Sequence, residues 1–292
     1  MDMDVKKIVS INKVDNFLER YSANSILARA KPGEMLPVRI GYIRLYYGSI
    51  STWGGYPGSG KTSLILSILT SIGQPFLYFS LELQDIEIVR RIISMKLKIP
   101  FLEIMTMETE KIMELLKEKN EFINLLNKFY ISNTINFNEI IDTIRIAVNN
   151  GVRLFAIDYA QLITSDGSMS AEDPSLLYSI MSTLLNIAVS QNIHIFIVSQ
   201  LRKNDTMKKN ADINAFFGSA SLTQLSSVAV ILRKDDQIGD IIHLQVLKNR
   251  YGPTTSKDLG NSIPIRFYPE ILSFEFNILE NTDEGEGFDI DF

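Results

Sequence analysis

The stretch Gly55-Tyr56-Pro57-Gly58-Ser59-Gly60-Lys61-Thr62 constrains this chain more than any other. It spells G-x-x-x-x-G-K-T, the phosphate-binding P-loop pattern. Glycines at 54, 55, 58 and 60 let the backbone turn tightly and aim N–H groups at phosphate oxygens. Lys61 has the reach for β- and γ-phosphates, and the Thr62 hydroxyl suits Mg2+. Ser49–Trp53 upstream is β-rich, and the apolar run from Ser63 predicts a helix over Lys61–Ile72. That helix would set its positive end on the phosphates. A strand, a glycine loop and a helix form the setting the motif requires. The expected ligands are therefore ATP and Mg2+, held by Gly55, Gly58, Ser59, Gly60, Lys61, Thr62 and Ser63.

Composition narrows the class. The 292 residues are 46% hydrophobic, enough for one large or two small cores. No run of about 18 apolar residues suggests a membrane span, and the N-terminus lacks a signal-peptide core. The absence of cysteine excludes disulfides and thiolate metal sites and fits a cytoplasmic setting. The two histidines, His194 and His243, sit in apolar strand-like runs and read as packing residues. The net charge of −5 is concentrated at the end of the chain. Six acidic and no basic residues lie between Glu280 and Phe292, and the remainder has 29 basic side chains against 28 acidic ones. The overall acidity therefore does not argue against nucleic-acid binding by the body.

The chain divides into an arm (1–45), a motor region (46–278) and an acidic tail (279–292). Val14–Arg29 can form an amphipathic helix, stopped by Lys31-Pro32-Gly33, and Pro37–Tyr47 is β-rich. This arm could be an entry subdomain or could dock on a neighbouring subunit. Phe76–Ser80 predicts a buried parallel strand leading to Glu82. There the carboxylate can polarise an attacking water, or simply begin a helix over Gln84–Lys98. Val152–Asp158 ends in an aspartate about 100 residues after the P-loop, the position from which Asp158 would hold Mg2+ opposite Thr62. His194–Gln200 ends in Gln200, a candidate sensor of the γ-phosphate. Thr164–Pro174 is a polar loop. The loop Leu201–Phe217 carries Arg202, Lys203, Lys208 and Lys209, then Phe216 and Phe217. Cations followed by aromatics suit a nucleic-acid backbone with base contacts, although a solvated loop with two buried phenylalanines fits as well. In Ile241–Arg250, alternation puts Ile242, Leu244, Val246, Lys248 and Arg250 on one face. Two cations projecting from one strand tip suggest supply in trans to a neighbour's γ-phosphate. Ile263–Tyr268 and Ile271–Phe276 predict a closing hairpin.

Taken in order, GGYPGSGKTS, YFSLEL, FAIDYAQLI, FIVSQLRKN, GSASLTQLSSVAVIL and VLKNRYGP resemble the RecA-like motor domain of DnaB-type hexameric replicative helicases, from about Ser49 to Phe276. The resemblance implies an α/β P-loop fold with a mostly parallel sheet flanked by helices. It implies Glu82 as general base, Asp158 as the magnesium-side aspartate, Gln200 as sensor, and Lys248 and Arg250 acting in trans. It also implies a ring, usually of six, with both loops gripping single-stranded DNA in the channel. The early helix stands where the family's linker helix lies, but its sequence does not match. The Phe-terminated acidic tail, Glu280 to Phe292, is similar to tails that dock replisome partners such as primase, polymerase or single-strand-binding protein; a solubilising tail is the plainer alternative. The leading expectation is an ATP-driven DNA helicase. A strand-exchange recombinase with the same core and a non-translocating regulatory ATPase are the rivals.

Overall fold

The structure is a computed structural model, and it describes residues 23, 33–117, 126–165, 173–201, 216, 221–234, 240–255 and 262–275. The chain divides into two compact units, Met1–Glu34 and Met35–Phe292. The expected helix Val14–Arg29 falls, apart from Ala23, outside the described residues, as does the acidic tail.

The second unit is built on one sheet. Its strands are β1 (Ser49–Gly55), β2 (Phe76–Ser80), β3 (Phe129–Ser132), β4 (Leu154–Asp158), β5 (His194–Gln200), β6 (Val228–Lys234), β7 (Ile241–Asn249), β8 (Ile263–Tyr268) and β9 (Ser273–Phe274). Their spatial order is β3-β2-β4-β5-β1-β6-β7-β8-β9. From β3 to β6 every pairing is parallel, and from β6 to β9 every pairing is antiparallel. The helices are α1 (Lys61–Ile72), α2 (Asp85–Leu97), α3 (Phe101–Thr106), α4 (Thr109–Lys117), α5 (Phe137–Asn149), α6 (Pro174–Gln191) and α7 (Ser221–Leu225). Most connect parallel strands and so must cross a sheet face.

That topology explains the composition of the strands. β1, β2 and β4 are buried along their whole length, because helices cover both faces. Alternate residues feed two cores. Trp53, Tyr78, Ala156, Phe196 and Val230 pack with α1 on one face. Ile50, Phe79, Phe155, Ile157, Ile197 and Ile231 pack with α5 and α6 on the other. Local chemistry sets the element ends. Asn136 caps α5 by accepting from the Asn138 and Glu139 N–H groups, and Asp173 caps α6 ahead of Pro174. Gly73 closes α1 in a left-handed conformation.

The β-rich run before the P-loop belongs to this unit. Leu36, Val38 and Ile40 are buried, then Ile43 and Leu45 after a turn at Gly41-Tyr42. All five join the α1-side core, so the compact unit begins at Met35, ahead of the boundary expected near residue 46. His194 is fully buried, with its ring between Ser49 Oγ, Ser51 Oγ and the Tyr46 carbonyl.

Two expectations need correction. The first is the face of Lys248. A β-bulge sits where Ala229 pairs with Lys248 but Val230 pairs with Val246, leaving Leu247 as the extra residue. Ile242, Leu244 and Val246 face the α1-side core, whereas Ala229 and Leu247 face the α6-side core. Lys248, opposite Ala229, is therefore turned to the other face from Ile242, Leu244 and Val246. The second is Phe216, expected to contact a base. It is 1% exposed and bridges to Leu201, with its ring packed on Gly54. A Cβ on Gly54 would lie 2.4 Å from Phe216 Cε1, so the ring occupies space that only a glycine leaves. Arg202, Lys203, Lys208, Lys209 and Phe217 lie outside the described residues, as do residues 166–172 of the other loop.

Candidate nucleotide site

A doubly wound parallel sheet gathers functional groups at the carboxyl ends of its strands. Four strands end here together. β1 runs into the P-loop, β2 leads to Glu82, β4 ends in Asp158 and β5 ends in Gln200. Register ties them side by side, with Gly55 opposite Gln200 and Ser80 opposite Asp158.

The P-loop holds the conformation its glycines permit. Gly60, at φ 88°, stands immediately before α1, where a side chain would be strained and would meet Phe274. Among the described residues no side chain caps the α1 N-terminus at Gly60, and its first turn has no acidic residue. The first-turn N–H groups thus lack the usual side-chain acceptor, as an anion site requires. Among the described residues, Ser59 Oγ is buried with no hydrogen-bond partner. Lys61 is 8% exposed and donates Nζ to the Gly55 and Tyr56 carbonyls, at 3.0 and 2.9 Å. Burial lowers its pKa, while the charges of Asp158 and Glu82 oppose that shift. A polyanion suits this set: an uncapped helix end, an orphaned hydroxyl and a cation held by its own loop.

Thr62 and Asp158 meet directly. Thr62 Oγ1 donates to Asp158 Oδ2 at 2.5 Å, and the buried Tyr78 hydroxyl donates to the same oxygen at 2.5 Å. Burial pushes the Asp158 carboxyl up, and the two hydrogen bonds, Lys61 and Arg91 pull it down. A carboxylate and an adjacent hydroxyl are hard oxygen donors, the kind that Mg2+ selects. The peptide bond that follows, Asp158–Tyr159, is cis.

Glu82 sits in a bend ahead of α2, whose first-turn acids are Asp85 and Glu87. It is therefore outside the helix that its sequence could have begun. The bend is pinned on both sides. Leu81 N–H donates to the Asp158 carbonyl at 2.8 Å. Ser80 Oγ and Asn133 Nδ2 both donate to the Leu83 carbonyl. Partial desolvation and then Asp158 raise the Glu82 pKa, and Lys61 and Arg91 lower it. Glu82 thus shares one electrostatic neighbourhood with the P-loop lysine and the β4 aspartate.

Two participants were not visible in the sequence. Tyr78 read as a core residue of β2. Arg91 pairs with Glu87 at 2.7 Å, lies over the Phe101 ring and acts on Tyr78, Glu82 and Asp158. Its only sequence signal was helical spacing, about two turns after the bend that bears Glu82.

The cations expected to act in trans are held differently. Lys248 Nζ donates to the Thr223 and Gln224 carbonyls at the C-terminal end of α7, at 2.9 and 2.7 Å. Burial lowers its pKa, and Arg250 lowers it further. Arg250 is exposed just beyond β7, its backbone N–H bonded to the Ser227 carbonyl. Neither reaches the P-loop by any described hydrogen bond.

Comparison with known proteins places this arrangement. Residues 45–275 match the family described as DnaB-like helicase C terminal domain. A curated relative from Trieres chinensis, a probable replicative DNA helicase, is 29% identical over 221 residues. That match covers 68% of this chain and 48% of the relative, so the chain spans about half the length of the curated relative it matches. Among solved structures, one described as an ATPase domain superposes with a TM-score of 0.66 at 19% identity, covering 91% of this chain and 97% of that one. A DnaB-like replicative helicase, studied with its interactions with primase, gives 0.65 at 19% identity, covering 78% and 57%. At that identity the likenesses establish a shared fold, and the family match covers most of the sequence. The chain belongs to the DnaB-like helicase C-terminal domain family.

Proposed function

We propose that this chain is the ATP-hydrolysing motor of a ring-shaped replicative DNA helicase, which moves on single-stranded DNA and separates a duplex. The observation that carries the reading is the meeting of Thr62 with Asp158 beside Lys61 and Glu82, in a chain of this family. The P-loop amides and Lys61 would hold the phosphates of ATP, and Thr62 and Asp158 would hold Mg2+. When bound, Mg2+ neutralises charge that builds up on the phosphate oxygens. Glu82 takes the role of general base, accepting a proton from the attacking water. Gln200, which pairs with Gly55, takes the role of sensor of the γ-phosphate.

Arg250 is the exposed cation assigned to a neighbouring subunit's γ-phosphate, which makes the complete site a property of two subunits. Lys248 is the second, and reaching a neighbour requires it to leave the α7 carbonyls. Six subunits in a ring, as the family resemblance implies, would put the loops 164–174 and 201–217 around one strand of DNA. Arg202, Lys203, Lys208 and Lys209 would then contact its phosphates. Primase or another replisome protein is the proposed partner of the acidic tail, Glu280 to Phe292.

Strand displacement on a forked duplex tests the reading. ATP-dependent release of a labelled strand is expected, and Lys61→Ala should abolish it. Strand pairing without displacement would favour a recombinase. ATP turnover with no effect on DNA would favour a regulatory ATPase.

A further inference from the structure

We propose that Tyr78 is a positioning residue for magnesium, fixing the Asp158 carboxylate from inside the sheet. The proposal rests on the reading of Thr62 and Asp158 as the magnesium side of the site.

The geometry comes from strand register. β2 and β4 are parallel neighbours, with Tyr78 opposite Ala156 and Ser80 opposite Asp158. Tyr78 and Asp158 are therefore diagonal partners two residues apart on one face, a separation of about 7–8 Å that only a long side chain spans. A phenol extends far enough, and its hydroxyl arrives at Asp158 Oδ2. Tyr78 is 0% exposed and Asp158 is 5% exposed, so the bond forms away from bulk water.

A buried tyrosine always needs an acceptor, and that alone would make this contact a packing detail. The choice of acceptor argues for more. Tyr78 donates to the same oxygen that Thr62 addresses from the P-loop. When the Thr62 hydroxyl turns to a metal, the donor from β2 still holds the carboxylate. Without it, a buried carboxylate on a single bond could rotate away from the metal position. Hydrogen-bond partners of metal-binding groups typically change metal affinity by about 10- to 100-fold.

The test reads magnesium binding rather than turnover. Fluorescent ADP is titrated onto the full chain with and without Mg2+, using wild type, Tyr78→Phe, Asp158→Asn and the double variant. Tyr78→Phe keeps the ring and removes the donor. It should raise half-saturating Mg2+ by about tenfold while leaving magnesium-free ADP affinity within about twofold of wild type. In the Asp158→Asn background, the tyrosine change should add little, since the group it positions is already altered. An unchanged magnesium midpoint in Tyr78→Phe, alongside a shifted one in Asp158→Asn, overturns the proposal. An equal loss of magnesium-free ADP binding in Tyr78→Phe also overturns it, because the role is then packing. No shift in Asp158→Asn overturns the magnesium reading of the site, and the tyrosine proposal with it.

Discussion

Thr62 Oγ1 donates to Asp158 Oδ2 at 2.5 Å, closing a span of 96 residues at the carboxyl edge of the sheet. The first residue lies in the opening turn of α1, one position after Lys61, and the second ends β4. The bond follows from β4 lying next but one to β1 in the sheet, with β5 between them. It also places the two hard-oxygen donors at one point, beside the only P-loop lysine.

Glu82 lies in the pinned bend, outside the P-loop proposed to hold the phosphates. Glu82→Gln should therefore leave nucleotide binding nearly intact and reduce turnover by about 10²–10⁴-fold, the usual contribution of a general base. Fluorescent-nucleotide titration and phosphate release measure the two separately. Equal losses in both would move Glu82 from chemistry to binding.

Gly54 is the contact point between β1 and Phe216. An alanine Cβ would meet the ring at 2.4 Å, in a strand buried along its whole length. Gly54→Ala should cost about 2–3 kcal/mol in denaturant unfolding, the scale of overpacking a core. Adding Phe216→Leu should recover part of that loss. A substitution that leaves stability unchanged would mean that Phe216 yields its place readily.

These residues show what the sequence could and could not reveal. α1, β2 and β5 follow their sequence patterns residue for residue, because period is local. The P-loop, Glu82, Asp158 and Gln200 were legible for a related reason. Each stands at a strand end, where a parallel sheet puts its chemistry. What escaped depended on partners far along the chain. Leu247 gives no local sign of a bulge, yet it turns Lys248 to the other face. Tyr78 reads as core until β4 brings Asp158 beside it. Phe216 follows a run of lysines, where base contact and burial both fit the sequence, and only Gly54, placed against its ring, decides for burial.

His194 gives the fold a dependence on pH. Burial lowers its pKa to about 4, below the ordinary 6.5, although its bond to the Tyr46 carbonyl opposes the shift. The unfolded chain therefore takes up a proton near pH 6.5 that the folded chain refuses until about pH 4. Between those values the unfolded state binds more protons, so stability falls as pH falls. From pH 7.5 to 5 this amounts to about 2 kcal/mol. Urea unfolding across that range should show the loss, and His194→Gln should flatten it by that amount. An identical slope in the variant would exclude His194 as its source.

The proposed function assigns Arg250 to act across a subunit boundary and Glu82 to act within its own subunit. Arg250→Ala and Glu82→Gln should each be nearly inactive alone. Mixed in equal amounts and allowed to exchange, they should regain activity, since roughly a quarter of head-to-tail interfaces would pair an intact Glu82 with an intact Arg250. No recovery, despite demonstrated exchange, would contradict a shared site.

The proposed nucleotide site is completed by a neighbour and coupled to DNA. ATP hydrolysis measured with and without single-stranded DNA, across protein concentration, tests it most directly, with Lys61→Ala as control. Strong stimulation by DNA is expected, with a rate per subunit that rises steeply as subunits assemble. A rate indifferent to DNA and strictly proportional to protein would contradict it.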